Sequence, residues 1–310
     1  MTGEIEIPAS LDEARAVLTD RPVGVVPFQI RAQLLAVQGV EQAVDAAVPV
    51  VEDYYVGAIL DLPNADVPVT TTMLEEWRVT MDDVVRAGAA ARAQAESPIE
   101  QFGAALVIRS VAFAAAALRD PAAVSALRPD AVPVIVIPDV GHTLVGFADD
   151  HASLASVAAA ADRVLANTDR SVSITPLVRG ASGWERFEWP ESVAAEVGRM
   201  GRRWDQVQYS AARDVLNRTY AAAGVDVFVA TLELAQQGDD GPFTTYATVT
   251  KDVHTVIPRA DFIVLNGGDG RMQRVPFERL LELPGVLTPS AGTVPDHFEV
   301  SRFPEELLAG

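Results

Sequence analysis

The chain contains no cysteine, so any chemistry must rest on oxygen and nitrogen side chains; thiolate nucleophiles, Cys-ligated zinc and iron–sulfur clusters are excluded. Its four histidines are His142, His151, His254 and His297, and no two fall at the spacing that aims both at one metal from a helix turn or a strand. Asp296-His297-Phe298-Glu299 is the densest local set, with two acids able to hold an imidazole, and it reads structurally as a surface loop. Ser182 lies in a Gly-rich turn, but Trp184 occupies the place where a nucleophile elbow needs glycine. The run 266–271, Asn-Gly-Gly-Asp-Gly-Arg, lacks the Gly-Lys-Ser/Thr ending of a phosphate loop and reads as a long hairpin loop. Asp61 and Asp66 could offer oxygens to a hard cation, although Asp beside Pro and Asn is also ordinary turn chemistry.

Two constellations remain. Asp61, Arg109, Asp139, His142, Arg259 and Asp261 supply acids, a base and cations that a fold could gather into one pocket; that is the makeup of an enzyme, such as a hydrolase, whose site is invisible to motif spacing. Trp184, Phe187 and Trp189 form an aromatic group in a Pro- and Gly-containing stretch. If exposed, it would be a partner-binding anchor; if docked, it would be core. The leading expectation is a non-catalytic protein that binds a protein partner or self-assembles, in an adaptor or structural role, with the enzyme as the alternative. No cofactor and no metal are expected.

The charge narrows the partners. A formal net charge of -19 repels phosphate backbones, which are bound through Lys and Arg, so nucleic acid is not an expected partner. Lys251 is the only lysine; the local basic cluster Arg199, Arg202 and Arg203 beside Trp204 could meet an anion or simply solvate a helix end. The opening residues lack the pattern of a signal peptide, and no run approaches the roughly 18 apolar residues of a membrane span. No membrane association and a cytoplasmic location are therefore expected.

The elements that would position these residues can be read from caps and periodicity. With 310 residues, of which 49% are hydrophobic, the chain is long enough for two cores, and a composition shift near Gly180 suggests a domain over 1–180, an aromatic and Pro-containing linker and helix over 181–200, and a domain over 201–310. Ser10 with Glu13, Thr72 with Glu75, Thr80 with Asp83 and Ser97-Pro98 with Glu100 predict helices from about 11, 73, 81 and 98. Ile99, Phe102, Leu106, Phe113 and Ala117 would give the fourth a buried stripe. Further helices are expected over 30–46, 154–166 and 204–223. Strands are expected over 54–60, 132–137, 143–148, 172–178, 225–234, 244–250, 253–257 and 262–265, with tight turns at Asp240-Gly241 and Asn266-Gly267. The order is irregular, so the predicted class is α+β: two units, each a mostly antiparallel sheet packed with helices.

The stretches YYVGAILDLPNADVPVT, LEEWRVTMDDVVRAGAAARA and VIVIPDVGHTLVGFADDHASLASVAAAADRVL together resemble the DUF1444 proteins, a bacterial family of unknown function, over roughly 49–180. The resemblance implies a strand ending in an acid and proline, an acid-rich helix start, and a strand, acidic turn and closing helix. It implies no activity or site residue. A fainter internal echo links VIVIPDVGHTLVGF with HTVIPRADFIVL; a duplicated unit and a commonplace strand–turn–strand pattern both account for it.

Overall fold

A computed structural model describes residues 7–37, 46–92, 97–236 and 241–308. Its contacts divide the chain into a first unit ending at Val197 and a second beginning at Gly198. The sheets are mostly antiparallel and packed with helices, an α+β fold.

In the first unit the order is α1 (Leu11–Ala14), β1 (Leu18–Gly24), α2 (Val25–Val37), β2 (Ala47–Val51), β3 (Tyr54–Leu62), β4 (Ala65–Pro68), α3 (Thr71–Trp77), α4 (Met81–Arg92), β5 (Ile99–Phe102), β6 (Ala105–Arg109), α5 (Val111–Arg119), α6 (Pro121–Ser125), β7 (Pro133–Asp139), β8 (His142–Phe147), α7 (His151–Leu165), β9 (Leu177–Arg179) and β10 (Trp184–Arg186). Strands β1 and β2 flank β3, and β4 also pairs with β3. A six-stranded sheet runs β10-β9-β7-β8-β6-β5. One continuous apolar cluster includes Tyr54 and Leu60 of the first sheet, Ile108, Ile135, Ile137 and Val145 of the second, and helical Val84, Ala114 and Leu118. Tyr54 ties the two sheets: its hydroxyl donates to the Thr175 carbonyl at 2.7 Å and accepts from the Ile137 N–H at 3.4 Å.

Several helix starts show the expected physics. Ser10 accepts from the Glu13 N–H, and Thr80 and Asp83 bond reciprocally, Asp83 taking the Thr80 N–H at 3.0 Å and giving its own N–H to the Thr80 hydroxyl at 3.3 Å. Helix α3 starts earlier than expected because Thr70, not Thr72, accepts the Met73 N–H. Helix α2 begins at Val25 rather than Ile30, and residues 38–45 of the expected helix lie outside the described residues. The helix expected from about 98 does not form. Residues 99–109 make the β5–β6 hairpin, turned at Gly103 with φ 56°, and the helix starts only after Ser110 caps the Phe113 N–H at 3.1 Å. The Ser-Pro-x-Glu spacing mimicked a cap, while alternate residues of β6 actually serve opposite faces of the sheet. Most of the strand expected over 172–178 is extended chain, with only Leu177–Arg179 paired as β9.

The second unit contains most of α8 (Ala194–Ala223), then β11 (Phe228–Val229), β12 (Glu233–Gln236), β13 (Phe243–Thr250), β14 (Thr255–Pro258), β15 (Phe262–Asn266), β16 (Met272–Pro276), α9 (Phe277–Leu281), β17 (Leu287–Pro289) and β18 (His297–Val300). Its sheets run β11-β14-β18-β17 and β12-β13-β15-β16, around a core of Val249, Ile257, Ile263, Leu265, Phe277 and Leu280. Helix α8 starts ten residues before the expected 204 and stops at Gly224, φ 67°. The strand expected over 225–234 breaks into β11 and β12, which belong to different sheets. Asp240 lies outside the described residues, and 267–271 forms a longer loop with positive φ at Gly268 and Gly270. The internal echo is not a shared substructure: β7 and β8 pair with each other, whereas β14 and β15 lie in different sheets.

No separate linker occupies 181–200. Residues 184–186 form β10, and helix α8 runs through the division at Val197 and Gly198.

Two glycines make opposite predictions. A Cβ on Gly24 would stand 1.6 Å from the Val172 carbonyl oxygen, so Gly24→Ala must displace backbone and should destabilise the first unit by about 2 kcal/mol or more. Gly198 lies inside α8 with nothing within 4 Å of its missing Cβ, so Gly198→Ala should stabilise by about 0.5–1 kcal/mol. Calorimetric unfolding of the two variants would check both signs.

Candidate functional site

The cleft of the first unit follows from strand register. Between β6 and β8, Val107 is opposite Leu144 and Arg109 opposite His142, while Ile108 is opposite Thr143 and Leu106 opposite Val145. Successive side chains leave a sheet on opposite faces, so Ile108 and Val145 enter the main core. Val107, Leu144, Arg109 and His142 then share the other face, with Glu100 of β5 opposite Val107. Helix α7 packs against this face of the sheet. Its Ala160, Arg163 and Val164, followed by Asn167, recur at helical spacing and complete a cleft of about 430 Å³. The β5–β6 turn is fastened to the same helix, because the Ser156 hydroxyl accepts the Ala104 N–H at 3.1 Å.

The β7–β8 turn arms the cleft. Asp139 and His142 flank a two-residue connection, Val140-Gly141. One carboxylate oxygen of Asp139 accepts the Gly141 N–H at 2.9 Å and lies 2.8 Å from His142 Nδ1. A carboxylate partner makes Nδ1 the protonated nitrogen and leaves Nε2 with the lone pair; Nε2 has no protein partner among the described residues. Burial pushes the Asp139 carboxyl up, but hydrogen bonds from His142, Gly141 and Thr168 together with the His142 charge outweigh it and hold the carboxyl below its ordinary value. Asp139 is therefore an anion at neutral pH, and its stabilising effect is present above the ordinary carboxylate range and lost in acid.

The floor is apolar, from Val107, Leu144, Ala160 and Val164, with Phe102 as a wall. The rim is charged. Arg109 Nη2 lies 3.2 Å from Glu100 Oε2, both side chains being half exposed. The Arg163 guanidinium carbon is 6.0 Å from the Phe102 ring centroid, and its side chain has no carboxylate partner among the described residues. The lining offers no serine, threonine, cysteine, lysine or tyrosine.

The chain matches no protein-family model, no curated protein and no solved structure.

Three of the six pocket residues singled out in the sequence, Arg109, Asp139 and His142, line this one cleft. Asp61 is elsewhere in the first unit, facing Asp66 across the β3–β4 pair. Arg259 and Asp261 belong to the second unit, where Arg259 binds Glu278 at 2.6 Å and Asp261 binds Arg202 at 2.7 Å. Phe102, Arg163 and Asn167 were missed, since a helix stripe acquires meaning only when the strand beneath it is known. No group of three His, Asp or Glu side chains suited to a metal occurs among the described residues.

Within the aromatic group Trp184 is core, whereas Phe187 and Trp189 are half-buried. Trp184 is buried in the main core and donates Nε1–H to the Ala117 carbonyl at 2.8 Å. Phe187 and Trp189 stack edge to face at 6.2 Å and pack on Val134, Leu154 and Val193. An indole with its N–H satisfied inside a core has no edge left for a partner. His297 likewise is not in a surface loop: it starts β18, is buried, and places Nδ1 2.8 Å from the Pro295 carbonyl. Burial lowers its pKa. His254 pairs with Glu299 at 2.7 Å, and His151 Nδ1 meets the Ser192 hydroxyl at 3.0 Å.

The basic cluster on α8 is also engaged. Arg199 and Arg203 lie over the Phe243 ring. Asp261 receives Arg202 on one oxygen and the Thr245 N–H, at 2.8 Å, and hydroxyl, at 3.0 Å, on the other. Asp205 shares this corner; burial pushes its carboxyl up to about 6, with Arg202 opposing and Asp261 adding to the shift. A raised acid favours the protonated folded state, so the second unit should lose stability as pH rises from the ordinary carboxylate value through about 6. Asp205→Asn should cancel that loss, gaining on the order of 1–2 kcal/mol over wild type at pH 8 and little at pH 4. Denaturant unfolding at the two pH values decides it.

Proposed function

We propose that the first unit binds a small organic molecule in the cleft between helix α7 and strands β5, β6 and β8, and moves a proton there through His142. The observation that carries this reading is the His142–Asp139 pair: one ring nitrogen is held by a buried carboxylate, and the other is a free base on a residue lining the cleft. Asp139 fixes the tautomer and supports the imidazolium that forms when Nε2 takes a proton. Arg109, directly across the strand pair, is placed to hold or stabilise negative charge beside that base. With no hydroxyl, thiol or amine nucleophile among the described lining residues, and with Asp139 engaged by His142 and Glu100 by Arg109, the chemistry this set supports best is removal of a substrate proton or activation of water for attack on a carbonyl, the latter being hydrolysis.

The expected outcome is that a panel of small esters and amides yields a substrate whose turnover falls by about a hundredfold or more in His142→Asn. Asp139→Asn, which removes the anion that orients the ring, should also lower turnover. Equal turnover in wild type and His142→Asn would overturn the proton-transfer role.

Self-association is a second reading with its own observation. Phe228 is 51% exposed on β11, an edge strand paired only with β14, and nearby in sequence Val225 is 45% exposed; Val253, which precedes the backbone partner of Phe228, is 43% exposed. An edge of this kind invites pairing with another chain. Sedimentation of wild type should show a concentration-dependent dimer that Phe228→Asp abolishes; a wild-type monomer at every concentration removes this reading.

A further inference from the structure

Resting on the reading of the cleft as a small-molecule site, we infer that its ligand is a carboxylate with a compact apolar body, whose head displaces Glu100 from Arg109 while the body lies on Val107, Leu144 and Val164.

Acids outnumber Lys and Arg by 43 to 24 in this chain, so a guanidinium left without a carboxylate runs against composition. Arg163 is such a group on the cleft rim. Arg109 is only partly satisfied: one nitrogen meets one oxygen of Glu100 at 3.2 Å, and no other side-chain acceptor reaches its guanidinium among the described residues. A planar fork with donors to spare suits a bidentate carboxylate better than the single contact it has. Glu100 shows that this position already accepts a carboxylate. That internal pair joins two side chains more than half exposed, at 52% and 57%, and exposed pairs of this kind contribute little, so an incoming acid meets a weak competitor.

The rest of the cleft rejects other classes. A cation would face Arg109 and Arg163, while the two acids of the lining, Glu100 and Asp139, are already engaged by Arg109 and His142. Inorganic phosphate would leave the apolar floor uncovered, and a ligand with no charge would leave Arg163 without an anion and Arg109 with only its single contact to Glu100. The volume suits a body of ring or branched-chain size, since pockets of roughly this volume are typical for small ligands.

The test is a titration of the intact chain, followed by the His142 ring resonances, with phenylacetate, 2-phenylethanol, phenethylamine and inorganic phosphate. Phenylacetate should perturb His142 and bind about tenfold more tightly than the alcohol. Arg109→Gln and Arg163→Gln should each weaken phenylacetate by about tenfold, while Glu100→Gln should tighten it by about two- to fivefold because the competing anion is gone. Opposite signs at two partners of one ion pair separate a binding role from a structural one, which would weaken both variants alike. The inference is overturned if the alcohol or amine binds as well as phenylacetate, if phosphate alone perturbs His142, or if Glu100→Gln weakens binding. Silence from all four probes would instead overturn the small-molecule reading beneath it. Amide spectra of each variant establish that it is folded before it is scored.

Discussion

The register between β6 and β8 is the constraint on which the first unit depends. It sends Ile108 and Val145 into the core and, by the same alternation, sets Arg109 beside His142 on the opposite face. A slip of one residue would exchange the two sets. Arg109 would then enter an apolar interior, a position for which a guanidinium has no tolerance without a partner. The core therefore enforces the site: the apolar positions of β6 cannot be satisfied without presenting the polar ones to the cleft. Ser156, which anchors the β5–β6 turn to α7, limits how far that hairpin can move relative to the helix.

Asp139 has a double duty that explains how a short turn can make a competent base. In the two-residue connection the Val140 N–H goes to the Arg170 carbonyl, and the Asp139 carboxylate satisfies the second amide, that of Gly141. The same oxygen holds His142. Turn chemistry and acid–base chemistry thus use one atom. An aspartate in this place has a complete structural explanation, and what exceeds it is the company: Arg109 across the strand pair, an apolar floor and a second guanidinium from α7.

Much of the fold was legible, and its misreadings have a common cause. Caps at Ser10 and Thr80, the stop at Gly224 and the strands around 54–60, 132–137, 143–148 and 244–250 were visible because local chemistry decides them. Local spacing was misleading where tertiary pairing decides: Ile99 to Arg109 satisfied both a helix stripe and a hairpin, and pairing with β8 selected the hairpin. The aromatic stretch was legible only as a choice between anchor and core, because neighbouring helices and strands decide it: they cover Trp184 and cover Phe187 and Trp189 in part. Of the site, Arg109, Asp139 and His142 were legible as types. Their meeting was not, because 30 positions separate Arg109 from Asp139 and only the strand pairing closes that distance. Arg163 carried no signal, since an exposed arginine near a helix end is ordinary.

The absence of cysteine and the near absence of lysine bear on what this arrangement can do. Catalysis through a hydroxyl or thiol nucleophile and Schiff-base formation depend on side chains that the described cleft lining lacks. What remains is a base whose orientation comes from its partner. A lone imidazole near neutrality is half protonated and undirected; one locked to a buried anion presents a defined lone pair and gains support for the charge it acquires. The apolar floor adds to this by thinning water around the base, which strengthens its interaction with both Asp139 and any developing anion near Arg109. Negative charge on a bound head would be balanced at Arg109 and Arg163, while the proton would be managed a strand away at His142. That division, anion on the guanidinium groups and proton on the imidazole, is the chemistry these residues can carry without a hydroxyl, thiol or amine nucleophile.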